Sequence, residues 1–287
     1  MRSGTSQPGH LFVTGGGGFL GRHLVRRAAG AEWTVTSPAS SECDIRDRDA
    51  VIEAITSAQP DAVAHLAYRR DERDTLVDGS RHVAEAAALV RARLVHVSTD
   101  VVFGGRDAPY DEDAQPDPII DYGRMKLAGE RAVEAAHDGA VIVRTSLLYG
   151  DDDDLSPVLR GIVDVALGRA EMTFFTDEVR CPAHVDDLAD AVLRLARMPD
   201  VTGPLHVAGP RPMNRAEFAL LVTDALGLDT TRVRTGTIAS SGQLRPAHVV
   251  LDSSRAVALG LHVRDPLASR DSSGAAHRDV ADDERHA

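Results

Sequence analysis

The stretch HLFVTGGGGFLGRHLV, residues 10–25, constrains the fold more than any other part of the chain. Apolar, β-rich residues run up to Thr14, glycines stand at 15, 16, 17, 18 and 21, and apolar residues then recur at helical spacing. A glycine turn between a strand and a helix lets the backbone bend tightly and approach a pyrophosphate, which then faces the free amides and positive end of the helix. A merely flexible surface loop has no use for the apolar helix that follows at once. The turn predicts a dinucleotide site and requires a sheet to carry it.

The rest of the sequence supplies that sheet. HLFVT (10–14), WTVTS (33–37), DAVAHLA (61–67), RLVHVS (93–98) and AVIVRTS (140–146) are short, rich in Val, Ile or Leu, and bounded by polar or turn residues, so they read as buried strands. GRHLVRRAAG, RDAVIEAITSA and DGSRHVAEAAALV lie between them, with apolar residues three and four apart. Such alternation predicts a Rossmann-type, doubly wound parallel sheet with helices on both faces, spanning 10–150. After 150 the rhythm loosens: an acidic DDDD loop (151–154) and helices near 156–168, from HVDDLADAVLRLA and from NRAEFALLVTDALG indicate a smaller substrate-binding lobe over 151–263. Within it PLHVAG (204–209) is apolar enough to return to the main sheet. Residues 1–9 read as a flexible N-terminus and 264–287 as a polar, disordered tail.

Charge and composition narrow the function. A formal net charge of -12 and the lack of any long basic run argue against nucleic-acid binding. No apolar run approaches the roughly 20 residues of a membrane span, and MRSGTSQPGH lacks the apolar segment of a signal peptide. Cys43 and Cys181 cannot build a disulfide framework and sit in no metal-ligand spacing, so a cytoplasmic location is expected. His184, Asp186 and Asp187 in HVDDLADAV read as a helix cap and charged first turn, and no metal is expected.

Within PIIDYGRMKLAGERAVEAA, residues 118–136, stands the single lysine of the chain, Lys126, against 31 arginines. It follows Tyr122 by four residues, which places both on one helix face. A phenol with a pKa near 10 is a poor proton shuttle at neutral pH, and a cation within about 5 Å favours its ionised form. Lysine offers a compact ammonium on a flexible stem, able to reach a ribose hydroxyl as well, where arginine offers a broad fork. The bland alternative is a solvated helix residue beside a buried tyrosine. The helix face around 122–136 could also form a homodimer, although packing on the sheet explains its apolar stripe equally.

TGGGGFLG, VHVSTDVVFGG, YDEDAQPDPIIDYGRMKLAGE and VIVRTSLLYG resemble, in order and spacing, the extended short-chain dehydrogenase/reductases, and within them the dTDP-4-dehydrorhamnose reductase family. The similarity continues through FFTDEVRCPAHVDDLADAV, GPLHVAGPRPMNRAEFA and RPAHVVLDSSRAVALG, covering about 10–260. It implies NAD(P)H-dependent reduction of a keto group on a nucleotide-linked deoxysugar. By position, Tyr122 would donate the proton, Lys126 would lower its pKa and bind the nicotinamide ribose, and Thr99 would hydrogen-bond the reacting carbonyl, with Ser98 a possible substitute. Gly15, Gly18 and Gly21 would wrap the pyrophosphate, Asp44 would sit near the adenine, and Phe19, Leu20, Ile45, Leu66 and Ala67 would complete the cofactor site. Asp100, Arg180 and Arg245 are candidates for the substrate, the two guanidinium groups for its diphosphate.

No acid ends the second strand in TVTSPASS, which favours NADP(H) and leaves NAD(H) open. The family usually has Tyr after STD, Trp before VYG and Asn in the helix after strand three; here Val101, Leu147 and Asp78 stand in those places. Val101 where the 4,6-dehydratases carry Glu argues against dehydration. A nucleotide-sugar 4-epimerase and a nonenzymatic dinucleotide-binding regulatory subunit are the alternatives, and Tyr122 with Lys126 speaks against the latter.

Overall fold

The computed structural model describes residues 9–151 and 155–267. Its first half alternates β1 (Gly9–Thr14), α1 (Phe19–Gly30), β2 (Trp33–Thr36), α2 (Arg48–Ala58), β3 (Ala62–His65), α3 (Ser80–Leu89), β4 (Arg93–Thr99), α4 (Asp121–Ala136) and β5 (Val141–Thr145). The second contains β6 (Leu148–Tyr149), α5 (Pro157–Ala166), β7 (Thr173–Phe175), β8 (Val179–Arg180), β9 (Ala183–His184), α6 (Val185–Leu195), β10 (Gly203–His206), β11 (Met213–Asn214), α7 (Arg215–Ala225), β12 (Arg234–Gly236), α8 (Ile238–Ser241) and α9 (Ser254–Ala258). All five strands expected from the first half form.

The main sheet has the order β10-β5-β4-β3-β1-β2, and every pairing in it is parallel. β3 and β5 are buried at every position, as continuous apolar runs must be when helices cover both faces. On one face α1 and α6 enclose Leu11, Val13, Leu24, Leu188 and Val192; on the other α2 and α3 enclose Phe12, Ile55, Val63, Val83 and Leu94. β1 lies between β2 and β3, so the chain runs outward in one direction and then in the other from it. That reversal opens a crevice at the carboxyl ends of β1 and β3, the ligand position of open α/β sheets.

The lobe has its own core of Leu159, Ile162, Phe174, Phe218 and Val233 between α5, α7 and β7. β10 leaves the lobe to pair with β5, Gly203 opposite Val141 through His206 opposite Arg144. His184 caps α6 by accepting from the Asp186 amide. Arg264 and Asp265, at the start of the segment expected to be a disordered tail, pair with Asp187 and Arg211 at 2.6 and 2.7 Å. Residues 1–8, most of the acidic loop and 268–287 lie outside the described residues.

Candidate active site

The glycine turn shows why side chains are excluded from it. Gly15 has φ +74°, and a Cβ there would lie 2.6 Å from the Ala67 amide nitrogen; at Gly21 it would lie 2.2 Å from the Gly15 carbonyl oxygen. Gly15 thus needs both the left-handed backbone and the close approach of Leu66 and Ala67 at the end of β3. Gly18 caps α1 and donates its amide to the Gly15 carbonyl at 3.0 Å. The first turn of α1 carries no acidic residue, so nothing there competes with an anion for the positive helix end. Phe19 and Leu20 open α1 and pack toward the core.

Ser37 follows β2 and reaches the same turn. A Cβ on Gly16 would lie 1.9 Å from its hydroxyl oxygen. Asp44 is partly exposed and held by Arg46 at 2.6 Å; the guanidinium draws the carboxyl pKa down to about 2. Ile45 beside it is buried under Gly79 and accepts a hydrogen bond from His82 at its carbonyl.

Tyr122 and Lys126 both lie in the first turns of α4, as the spacing requires, but their surroundings differ from expectation. Lys126 is 4% exposed and donates from Nζ to the Val97 carbonyl on β4 at 2.8 Å. Burial draws its pKa down to about 8, with Glu130 opposing. Burial pushes the Tyr122 phenol upward from its ordinary value, Tyr68 and Asp100 push the same way, and Arg70 opposes them. The Arg70 guanidinium carbon lies 4.8 Å from the Tyr122 ring centroid. The expected lowering of the phenol by Lys126 is therefore corrected: the ammonium is anchored to the end of β4, and the cation set against the ring is Arg70.

Thr99 and Ser98 divide at the strand end. Ser98 is buried and donates to Glu130, which also holds buried Arg144 at 2.7 Å. Its hydroxyl is thus committed to the core. Thr99 is half-buried, donates to Asp100 at 3.2 Å and accepts from the Val101 amide at 3.4 Å. Asp100 is buried; burial raises its pKa, while Arg180 and the Ser146 hydroxyl, which donates to it at 2.6 Å, act the other way.

The two arginines chosen for a diphosphate are placed differently from each other. Arg180 is 3% exposed, and its donors are spent on the carbonyls of Val179, Pro246 and Ala247 and on the carboxylates of Asp100 and Glu178. Arg245 is partly exposed, pairs with Glu178 at 2.7 Å and lies over the Phe175 ring. Glu178, Arg70 and Arg215 were not singled out from sequence, since solvated charges are common and only the fold brings these to the site. Asp78, expected in the helix after strand three, lies in a π-helical turn, Asp74–Gly79, that leads into α3, and it sits between Arg73 and Arg81 at 3.4 and 3.5 Å.

A parallel sheet with a glycine turn at its switch point and a helix presenting Tyr and Lys beside β4 defines a Rossmann-type protein of the extended short-chain dehydrogenase/reductase class. The chain belongs to the family described as RmlD substrate binding domain, whose model matches residues 9–269. It is 37% identical over 269 residues to a dTDP-4-dehydrorhamnose reductase of Mycolicibacterium smegmatis, covering 88% of this chain and 80% of that one. It is also 32% identical over 283 residues to methionine adenosyltransferase 2 subunit beta of Bos taurus, covering 90% and 84%. The crystal structure of a dTDP-4-dehydrorhamnose reductase from Bacillus anthracis in complex with NADP matches with a TM-score of 0.83 at 27% identity, over 92% of this chain and 97% of that one.

Proposed function

We propose that the protein reduces a keto group on a dTDP-linked 4-keto-6-deoxysugar, using NADPH. The observation that carries this reading is the meeting, at the carboxyl ends of β1, β3 and β4, of a cradle without room for side chains and a helix that presents Tyr122. Gly15 and Gly21 fit a pyrophosphate, because a Cβ at either would strike backbone within 2.6 Å. The Ser37 hydroxyl at the turn, with no acid closing β2, favours NADPH over NADH. When bound, the nicotinamide supplies the hydride.

Thr99, whose hydroxyl is the more accessible of the two at the strand end, orients the substrate carbonyl. As the hydride adds to the carbonyl carbon, the Tyr122 hydroxyl gives its proton to the oxygen, leaving a secondary alcohol. Lys126, drawn to a pKa of about 8, is a proton store one helical turn from the phenol. Two buried free thiols, Cys43 and Cys181, suit a reducing cytoplasm.

A second reading, a dinucleotide-binding subunit without chemistry of its own, is supported by the relatives named as a methionine adenosyltransferase subunit. A panel of dTDP-, UDP- and GDP-linked 4-keto sugars, followed by absorbance at 340 nm with NADPH and NADH, separates the two. Turnover restricted to dTDP sugars with NADPH is expected; dinucleotide binding without oxidation of NADPH by any of them would favour the subunit.

A further inference from the structure

Antiparallel β8 and β11 set Met213 opposite Arg180 and Asn214 opposite Val179, and a bridge sets His248 beside Val179. This register gathers Arg180, Arg215 and Arg245 around Glu178, whose backbone carbonyl accepts from the Arg215 amide at 2.9 Å. Arg180 pairs with Asp100 and Glu178, Arg245 pairs with Glu178, and the charge of Arg215 is felt by the same two carboxylates. Arg180 touches both carboxylates and three carbonyls and has nothing left for a ligand. Arg245 spends Nε and one terminal nitrogen on Glu178 and the other on the Gln243 side chain at 3.1 Å. Arg215 differs: its Nη1 is buried with no hydrogen-bond partner among the described residues. A guanidinium carries five donors in a fixed fork, and leaving one of them dry and unmade is costly.

We propose that Arg215 is a substrate-binding residue that takes a phosphate of the nucleotide-linked sugar near Arg245, while Arg180 holds Glu178, the carboxylate with which Arg245 pairs. This rests on the nucleotide-sugar reading above. Arg215 as a whole is only partly buried, so its fork can turn out to a phosphate, which then supplies the acceptor that Nη1 lacks, offsets the excess of positive charge and is met in two-point contact. The position also suits the chemistry, because Asp100, which Arg180 joins to this cluster, directly follows Thr99.

The test is calorimetric binding of dTDP, thymidine and inorganic pyrophosphate to the intact protein and to Arg215→Ala and Arg215→Lys. Loss of a charged hydrogen bond predicts about a 10- to 100-fold weaker Kd for dTDP and pyrophosphate in Arg215→Ala. Arg215→Lys should recover part of that loss, and thymidine and NADPH should bind all three alike. NADPH affinity also reports that the variants are folded. A dTDP Kd within about twofold of the parent's in Arg215→Ala, an equal loss for thymidine, or no binding of dTDP to the parent would each overturn the proposal. If the parent binds dTDP and Arg215→Ala does not, yet no keto sugar is reduced, the reductase reading fails and the phosphate contact stands.

Discussion

Lys126 is a buried ammonium that donates to the Val97 carbonyl, and its position has a measurable consequence for stability. Its folded pKa of about 8 lies below the ordinary 10.5, so between those values the unfolded chain binds the proton that the folded chain has released. Stability contributed by this residue therefore rises with pH across that window, by an amount on the order of 3 kcal/mol. Urea unfolding at pH 7.5 and 9.5 should give a larger gain in the parent than in Lys126→Met; equal gains would show that the ammonium is not held dry. Arg70 lies over the phenol and opposes the effect of burial, so Arg70→Ala should raise the phenol's pKa and move the basic limb of the reduction rate to higher pH. An unmoved limb would remove Arg70 from the site. The Tyr–Lys pair was legible because one lysine among so many arginines stands out at helical spacing. What surrounds the pair was not, because burial and Arg70 arrive from segments distant in sequence.

Among the elements, α4 holds the site in place by two close approaches. A Cβ on Gly123 would lie 2.2 Å from the Val101 carbonyl oxygen, and one on Gly129 would lie 2.3 Å from that of Leu76 in the π-helical turn. These glycines let the helix lie against both segments, so Gly129→Ala should cost about 1–3 kcal/mol in urea unfolding. An unchanged midpoint would mean that the turn yields freely. Beneath the helix, β3 and β4 carry two buried histidines, His65 and His96, with ring centroids 4.9 Å apart. His65 shares hydrogen bonds with Thr14 at 2.7 Å and Ser80 at 3.0 Å, whereas neither ring nitrogen of His96 has a partner among the described residues. Burial and nearby Lys126 draw His65 to about 3 and His96 well below its ordinary value. Both stay neutral in the fold while the unfolded chain takes up protons below about 6.5, so stability falls as pH drops from there. His96→Leu should reduce that fall, measured as the change in melting temperature from pH 7 to pH 5. An undiminished fall would assign it to other groups.

At the scale of the whole molecule, periodicity made the sheet readable, since buried parallel strands are continuous apolar runs and their crossover helices repeat every three or four residues. The lobe was less readable because its strands are two or three residues long, too short for a period to register. The site between sheet and lobe divides in the same way. Gly15 and Gly21 could be chosen because a turn excludes side chains locally, while the surroundings of Arg180 and Arg215 take shape only when β8 and β11 are paired. The claim that joins sheet, cradle and lobe is that Tyr122 gives a proton to a keto sugar beside NADPH. Its most direct measurement is NADPH oxidation at saturating dTDP-4-keto-6-deoxysugar by the parent and by Tyr122→Phe, with NADPH affinity measured on both. A fall in turnover of about 10²- to 10⁴-fold at unchanged NADPH affinity is the predicted result. Turnover by Tyr122→Phe equal to the parent's would contradict it.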